Sequence, residues 1–304
     1  VKQSERADLH RPAVALIGTG CLASAFVPSM LKAGYRFVSV ESHSVAGASR
    51  FIRKYPGLTN LAGTETASPP PGLILLAVPD QEIRTAASGL VENGPSLKGA
   101  VVLHHAGGAG PELLEPAARA GAHCGVLHPL QVLGLHGAEA LPGSYARIEG
   151  DRPARKAALE LAEALNLRPL HFRSRPGAGE RAAYHAGAAM AANDMVGLLS
   201  FGIDLLVEAG VGRTEATEAL SRLASGALRN MEGRGIQGAL TGPVIRRDAE
   251  GVEKHLQRIG RSSPSAREVH RLLSRRLLEL STPKGKRPDR GICRVLARER
   301  NPRK

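Results

Sequence analysis

Tryptophan is absent from the 304 residues, and Phe and Tyr contribute only five and four. A core built from this chain must therefore be filled by Leu, Val, Ile and closely packed Ala, which favours elements crossing at short distance. Cysteine is also scarce. Cys21, Cys124 and Cys293 are odd in number and far apart, a spacing that neither builds a disulfide framework nor approximates a metal-ligand set. No eighteen-residue stretch is uniformly apolar, and the first ten residues are polar and charged where a secretory signal would need a hydrophobic run. The expectation is a cytoplasmic protein with no membrane partner. Acidic residues are outnumbered, 28 Asp and Glu against 41 Lys and Arg, for a formal net charge of +13. The excess is concentrated: residues 282–304 carry nine Lys or Arg against Asp289 and Glu299, interspersed with Pro283, Gly285, Pro288 and Gly291. That composition reads as a basic, disordered tail, and a nucleic-acid partner is expected through this tail or not at all.

Apolar runs at 13–17, 37–40, 73–78, 100–103 and 124–127 read as buried strands, with a weakly marked one near Leu61. Helical patterns of about ten residues separate them at 22–31, 45–54 and 80–90. Near-continuous apolar strands alternating with helices are what a parallel sheet buried on both faces requires, so the fold class is α/β. Beyond residue 150 the pattern is mostly helical, at 153–165, 180–209, 213–231, 249–259 and 265–280, the last opening at Ser263-Pro264.

The segment Gly18-Thr19-Gly20-Cys21-Leu22-Ala23 follows the first strand and opens a helix. It is a Gly-x-Gly-x-x-Ala fingerprint: Gly18 permits the tight turn, Gly20 lets backbone approach a pyrophosphate, and Ala23 keeps the helix near its strand. In that setting the fingerprint predicts a Rossmann-type dinucleotide site, with Val78, at the end of the strongest strand, and Pro79, which stops that strand, as further cofactor contacts. The end of the second strand decides the cofactor. Glu41 would hold an NAD ribose; Ser42, His43 and Ser44, with Arg50 on the next helix, would receive the extra phosphate of NADP. The reading favours NADP and leaves NAD open. The expected domains are 12–150, dinucleotide-binding; 151–281, a helical substrate and dimerisation domain; and the tail 282–304.

Several further segments occur in order along the chain: Leu76-Ala77-Val78-Pro79-Asp80, His104-His105-Ala106-Gly107-Gly108, Leu127-His128-Pro129-Leu130-Gln131, Ile148-Glu149-Gly150-Asp151, Ala183-Tyr184-His185-Ala186 with Asn193, and Ala239-Leu240-Thr241-Gly242-Pro243-Val244. With the glycine fingerprint they make the chain resemble the Rossmann-like/DUF2520 family over residues 12–280. That family is similar, more distantly, to F420-dependent NADP reductases, pyrroline-5-carboxylate reductases and β-hydroxyacid dehydrogenases. The resemblance implies a homodimer joined through the helical domain, which closes over the nicotinamide. Two departures stand out. Relatives tend to have Ser-Arg-Ser where this chain has Ser42-His43-Ser44, and the Lys that β-hydroxyacid dehydrogenases use on the first long carboxy-terminal helix has no counterpart in 180–209.

Reduction of a carbonyl or imine needs a proton source beside the hydride acceptor. His185, Ala189 and Asn193 are spaced i, i+4, i+8 and share one face of an uninterrupted α-helix, which makes His185 a proton donor and Asn193 an orienting group. Tyr184 points to another face in that geometry. His128, at a strand's carboxyl end, is a second donor candidate. His105, Gln131 and, from the family's loop, Thr241 are the substrate-contact candidates. Histidine is plentiful, but His104 and His105 diverge if the strand continues, so no metal site is expected. The functional expectation is an NAD(P)-dependent oxidoreductase of a small molecule, with hydride transfer at the cleft between the sheet domain and the helix 180–209. The alternative is an NAD(P)-binding sensor or scaffold without turnover.

Overall fold

The computed structural model describes residues 11–58, 69–134 and 137–298; the strand expected near Leu61 lies outside them. Seven strands form one sheet: β1 (Val14–Ile17), β2 (Phe37–Glu41), β3 (Leu73–Leu76), β4 (Val101–His104), β5 (His123–Leu130), β6 (Tyr145–Gly150) and β7 (Arg168–Pro169), in the order β2-β1-β3-β4-β5-β6-β7. Pairs within β1 to β5 are parallel, β6 runs antiparallel to β5, and β7 is parallel to β6. Strand side chains alternate between faces, and two apolar clusters result. Val14, Leu16, Leu73 and Leu75 enter one; Ala15, Ile74 and Leu76 enter the other. The first is closed by Phe26, Val27 and Met30 of α1 (Cys21–Lys32), Phe51 of α2 (Val45–Lys54) and, beyond them in the chain, Ala154, Ala158 and Leu161. Ile83, Ala87 and Leu90 of α3 (Ile83–Asn93) with Ala117 of α4 (Glu115–Arg119) close the second. A sheet covered on both faces explains why its strands read as uninterrupted apolar runs.

Pro28 sits inside α1 without ending it. Proline has no N–H for the carbonyl four residues back, that of Ser24. The Tyr55 hydroxyl donates to that carbonyl at 3.1 Å and replaces the missing bond.

By contact the chain divides into Val1–Ala189 and Met190–Lys304, which places residues 151–189 with the sheet. The reason is that α5 (Arg152–Ala164) packs on β5 and β6, and β7 then extends the sheet. The same unit includes α6 (Ala178–Ala189).

The second unit begins with a π-helical turn, Met190–Asp194, and continues with α7 (Met195–Glu208), α8 (Arg213–Ala239), α9 (Ala249–Ser262), α10 (Pro264–Ser281) and α11 (Arg290–Ala297). Gly235, at φ 68°, interrupts α8. Helix α11 corrects the expectation of a disordered tail from 282 onward. Asp289 caps it by accepting from the Ile292 N–H at 3.0 Å, and Ile292, Val295 and Leu296 bury against Val252, Leu256 and Leu278. Arg275 donates to the Leu296 carbonyl at 2.9 Å, placing a cation at the negative end of the helix. Pro283, Gly285 and Pro288 precede this helix, and Gly291 in its first turn stays off the apolar i, i+3, i+4 stripe of Ile292, Val295 and Leu296.

The helical run Ala178–Glu208 is, among the described residues, long and apolar enough to cross a membrane by length and composition, and its most apolar window is unburied.

Candidate functional site

Strand β1 ends at Ile17, and the chain turns sharply at Gly18, whose φ is +101°. A Cβ there would lie 2.3 Å from the Ala77 carbonyl oxygen and 3.0 Å from the Val78 nitrogen, so the loops after β1 and β3 touch where any side chain would part them. Gly20 differs in kind. Its Cβ would meet nothing within 4 Å, leaving open space over the start of α1, and Gly20 supplies no side-chain cap. The first N–H groups of α1 thus face an uncovered approach, the disposition that binds phosphate at a helix start. Leu22 is half-buried and Ala23 fully buried beneath this turn, while Cys21 is exposed.

Beyond β2, Thr19 and Ser42 hydroxyls lie 2.9 Å apart, tying the phosphate turn to the next loop. Ser44 caps α2 by accepting from the Gly47 N–H at 3.1 Å. A Cβ on Gly47 would fall 2.9 Å from Ser42 Oγ and 3.1 Å from Ser44 Oγ, so both hydroxyls crowd the start of α2. His43 is exposed between them. These groups fit the ribose end of a dinucleotide.

Two strands along, β4 ends at His104 and opens into a glycine loop. His104 is fully buried; its Nδ1 accepts from the Ala106 N–H at 3.1 Å, so its Nε2–H donates to the Gly110 carbonyl at 2.9 Å. His105 turns the other way, donating from Nδ1 to the Leu127 carbonyl at 2.6 Å with its ring edge-on to Phe26. Burial pushes its pKa down to about 3, and its Nε2 has no hydrogen-bond partner. Gly107 then makes a cradle: a Cβ would lie 2.5 Å from His185 Nδ1 and 2.9 Å from His128 Nε2. His128 comes from β5 and His185 from α6, so two imidazoles converge on the space that this glycine leaves. The other nitrogen of His128, Nδ1, is 2.8 Å from the Tyr184 hydroxyl. Burial first, then the charges of Arg147, His185 and His104, pushes the His128 pKa down to about 4. Burial pushes that of Tyr184 up to about 12, against the opposing effect of Arg147.

A buried ion network holds this loop. Arg147 of β6 is fully buried, donates to the Ala106 and Ala109 carbonyls at 2.9 and 2.6 Å, and pairs with Glu149. Arg181 of α6 donates to both oxygens of Glu149 and to both of Glu112, and Glu112 accepts from the Gly110 N–H at 3.0 Å. Residues 106–110 are therefore fixed from two sides, by Arg147 through their carbonyls and by Glu112 through an N–H. The Arg147 guanidinium also lies 5.5 Å from the Tyr184 ring centroid.

Residues 2–129 match the Rossmann-like domain, and residues 144–277 match DUF2520, a domain of unknown function. The chain is a Rossmann-like/DUF2520 protein. It is similar in structure to protein TM1727 from Thermotoga maritima, with TM-score 0.67, 21% identity, and coverage of 88% of this chain and 98% of that one. A pyrroline-5-carboxylate reductase from Coxiella burnetii gives TM-score 0.59 at 15% identity over 89% and 99% of the two chains. A reductive aminase from Aspergillus terreus, in complex with NADPH and ethyl-5-oxohexanoate, gives 0.59 at 18% over 88% and 94%. At these identities the likeness is one of fold. No curated protein matches the sequence.

Of the candidate residues, His128 and His185 both border the Gly107 cradle, and Tyr184, which ideal helix spacing turns to another face, contacts His128. His105 is corrected from a substrate contact to an enclosed residue that ties β4's end to β5. Gln131 is likewise engaged in its own loop: its amide donates to the Ala140 carbonyl and to Ser144 Oγ, both at 2.9 Å, and its oxygen accepts from the Val132 N–H. Asn193 falls in the π turn, where the i, i+4 spacing from His185 no longer holds, and both it and Thr241 are exposed residues of the second unit. Arg147, Glu149, Arg181 and Glu112 escaped the sequence reading. The available signal was Arg147 and Glu149 at i, i+2 in a short strand, two charges on one face of a sheet that is otherwise apolar.

Proposed function

We propose that this DUF2520 protein is an NADP-dependent oxidoreductase acting on a small molecule, with His128 the proton donor to the reacting atom and His185 the second group beside it. One observation carries the reading. The open phosphate turn after β1 and the histidine-lined cradle after β4 lie at the carboxyl ends of parallel strands in one sheet, where doubly wound folds bind their ligands. The fit of a dinucleotide rests on Gly18 and Gly20, the one filled by a neighbouring loop and the other open. A bound nicotinamide supplies hydride; the chain supplies placement and the proton. Gly20 and the start of α1 take the pyrophosphate, with Thr19, Cys21, Leu22 and Ala23 shaping that turn, and Val78 and Pro79 border it. Ser42, His43 and Ser44, with the start of α2, favour the additional phosphate of NADP; Glu41, the last residue of β2, is the group that would favour NAD. The NADPH complex of the Aspergillus reductive aminase supports the same cofactor class.

NADPH oxidation across small keto acids, aldehydes and cyclic imines tests the reading. With a substrate in hand, His128→Ala and His185→Ala should each lower kcat about 10²-fold while NADPH affinity changes little, the usual scale of general acid catalysis. Wild-type rates in both variants would eliminate the donor assignment. Tight NADPH binding with no turnover across the panel would favour a sensor, the reading that the missing Lys in 180–209 supports.

The assembly is a homodimer through the second unit. Val196 and Leu198 of α7 and Leu223, Leu228 and Met231 of α8 are exposed, and a second copy would cover them. Asp194 and Asp204 in the same helical run make lipid a costly cover. Light scattering should give twice 32.0 kDa at micromolar protein; a monomer mass would refute the dimer.

A further inference from the structure

We propose that Tyr184 is the proton reservoir of this site and acts through His128: its hydroxyl donates to His128 Nδ1 and holds the imidazole as the Nε2–H tautomer, with that N–H aimed at the Gly107 cradle. The proposal rests on the reading of the site as one of hydride transfer. A neutral imidazole carries one proton, and the 2.8 Å contact with Tyr184 admits two assignments. In one the hydroxyl donates and Nε2 bears the proton; in the other the hydroxyl accepts and Nε2 is bare. Only the first puts an acid in the cradle.

The buried cation decides between them. Arg147, 5.5 Å from the Tyr184 ring centroid, makes the phenol a stronger donor and penalises added positive charge on His128. The groups acting on His128 come from three elements: Arg147 of β6, Tyr184 and His185 of α6, and His104 at the end of β4, with the buried ring of His105 beside His104. The two carboxylates nearest the network, Glu149 and Glu112, are engaged by Arg147 and Arg181. His128 therefore remains neutral at pH 7 and delivers a proton only if another group replaces it. In reduction of a C=O or C=N bond, for which a bound reduced nicotinamide would supply the hydride to carbon, the π pair would move to the substrate heteroatom and the heteroatom would take the Nε2 proton. The Tyr184 O–H bond breaks and its proton moves to Nδ1. The ring ends neutral with its proton on the other nitrogen, the phenolate lies beside Arg147, and solvent returns the proton to Tyr184. His185 is exposed, with no equivalent reservoir among its described contacts. In this scheme His128 is the catalytic residue, and Tyr184 and Arg147 position it and set its proton.

Long-range ¹⁵N correlation spectra of the histidine rings in the full chain test the proposal without a substrate, with His128→Gln identifying the signals. The wild type should show His128 as one Nε2–H tautomer at pH 7, taking a second proton only near pH 4. Tyr184→Phe should give a mixture of tautomers, and Arg147→Met should raise the midpoint by about 1. A wild-type Nδ1–H tautomer, or a tautomer unmoved by Tyr184→Phe, overturns the relay. If Arg147→Met fails to fold, Tyr184→Phe still decides. NADPH titration by calorimetry is independent of these spectra, so loss of the cofactor reading and loss of the relay are separate results.

Discussion

The first unit buries polar side chains, whereas the second leaves apolar ones exposed. In the sheet unit Arg147, His104, His105, Glu149 and Arg181 are all buried, at the strand ends where the glycine loops gather. In the helical unit a small cluster of Val244, Val252, Leu256, Leu278, Ile292, Val295 and Leu296 makes the core, while Leu223, Val196 and Leu272 remain exposed. Burying charge is costly unless each group is paired and hydrogen-bonded, so such a network persists where rigid placement is useful. Exposed apolar helix faces instead mark a surface that another body covers. The contrast is the ground on which chemistry is proposed for one unit and assembly for the other.

The strongest way to break this contrast is to remove a shared partner of the buried network. Glu149→Ala leaves both Arg147 and Arg181 without their main carboxylate, and should cost about 3–5 kcal/mol. Chemical denaturation with hydrogen exchange to localise the loss should place it in the sheet unit; a loss below about 1 kcal/mol would contradict the network's role. Leu296→Ala removes a side chain 1% exposed under α9 and α10 and should cost about 2–4 kcal/mol, confined to the helical unit. No loss would return 282–298 to the reading of a solvated tail.

Acid should act more strongly on the sheet unit, although burial also lowers the pKa of His270 in the helical unit. His105 and His128 are held neutral, with pKa values of about 3 and about 4, so below the ordinary value near 6.5 the unfolded chain takes up protons that the folded chain refuses. Stability therefore falls as pH drops from about 6.5, by up to about 1.4 kcal/mol per pH unit for each such histidine, and the His128 contribution levels off below about 4. Stability flat between pH 6.5 and 4.5 would contradict their neutral burial. At the small end, Glu250→Ala breaks an exposed i, i+4 pair with Lys254 and should change stability by no more than about 0.5 kcal/mol.

Much of the sheet was legible because its strands are apolar runs and its helices amphipathic. The Gly18 turn was legible because only glycine takes its conformation against the Ala77 carbonyl. The cradle was half legible. His128 could be placed by its strand end, but whether Tyr184 or His185 faced it depended on how α6 meets the sheet, and the two flank Gly107 and His128 together. Asn193 was misplaced because a π turn carries no local composition signal that separates it from α-helix. Gln131 and His105 were read as pocket groups because a polar residue at a strand end resembles a ligand contact until its own hydrogen bonds are known. The α11 helix was missed because nearby Pro and Gly outweighed a three-residue apolar stripe whose partners lie on other helices.

Calorimetric titration of NADPH and NADH into the wild type and Gly20→Val tests the central claim most directly. A Cβ at Gly20 meets nothing within 4 Å, so a larger side chain there obstructs a bound pyrophosphate while leaving the fold intact. The account predicts saturable NADPH binding to the wild type, weaker NADH binding, and a loss of about 10²-fold or more for both in a folded Gly20→Val protein, close to 3 kcal/mol or more. Undiminished NADPH binding by that variant, or no binding by the wild type, would contradict it.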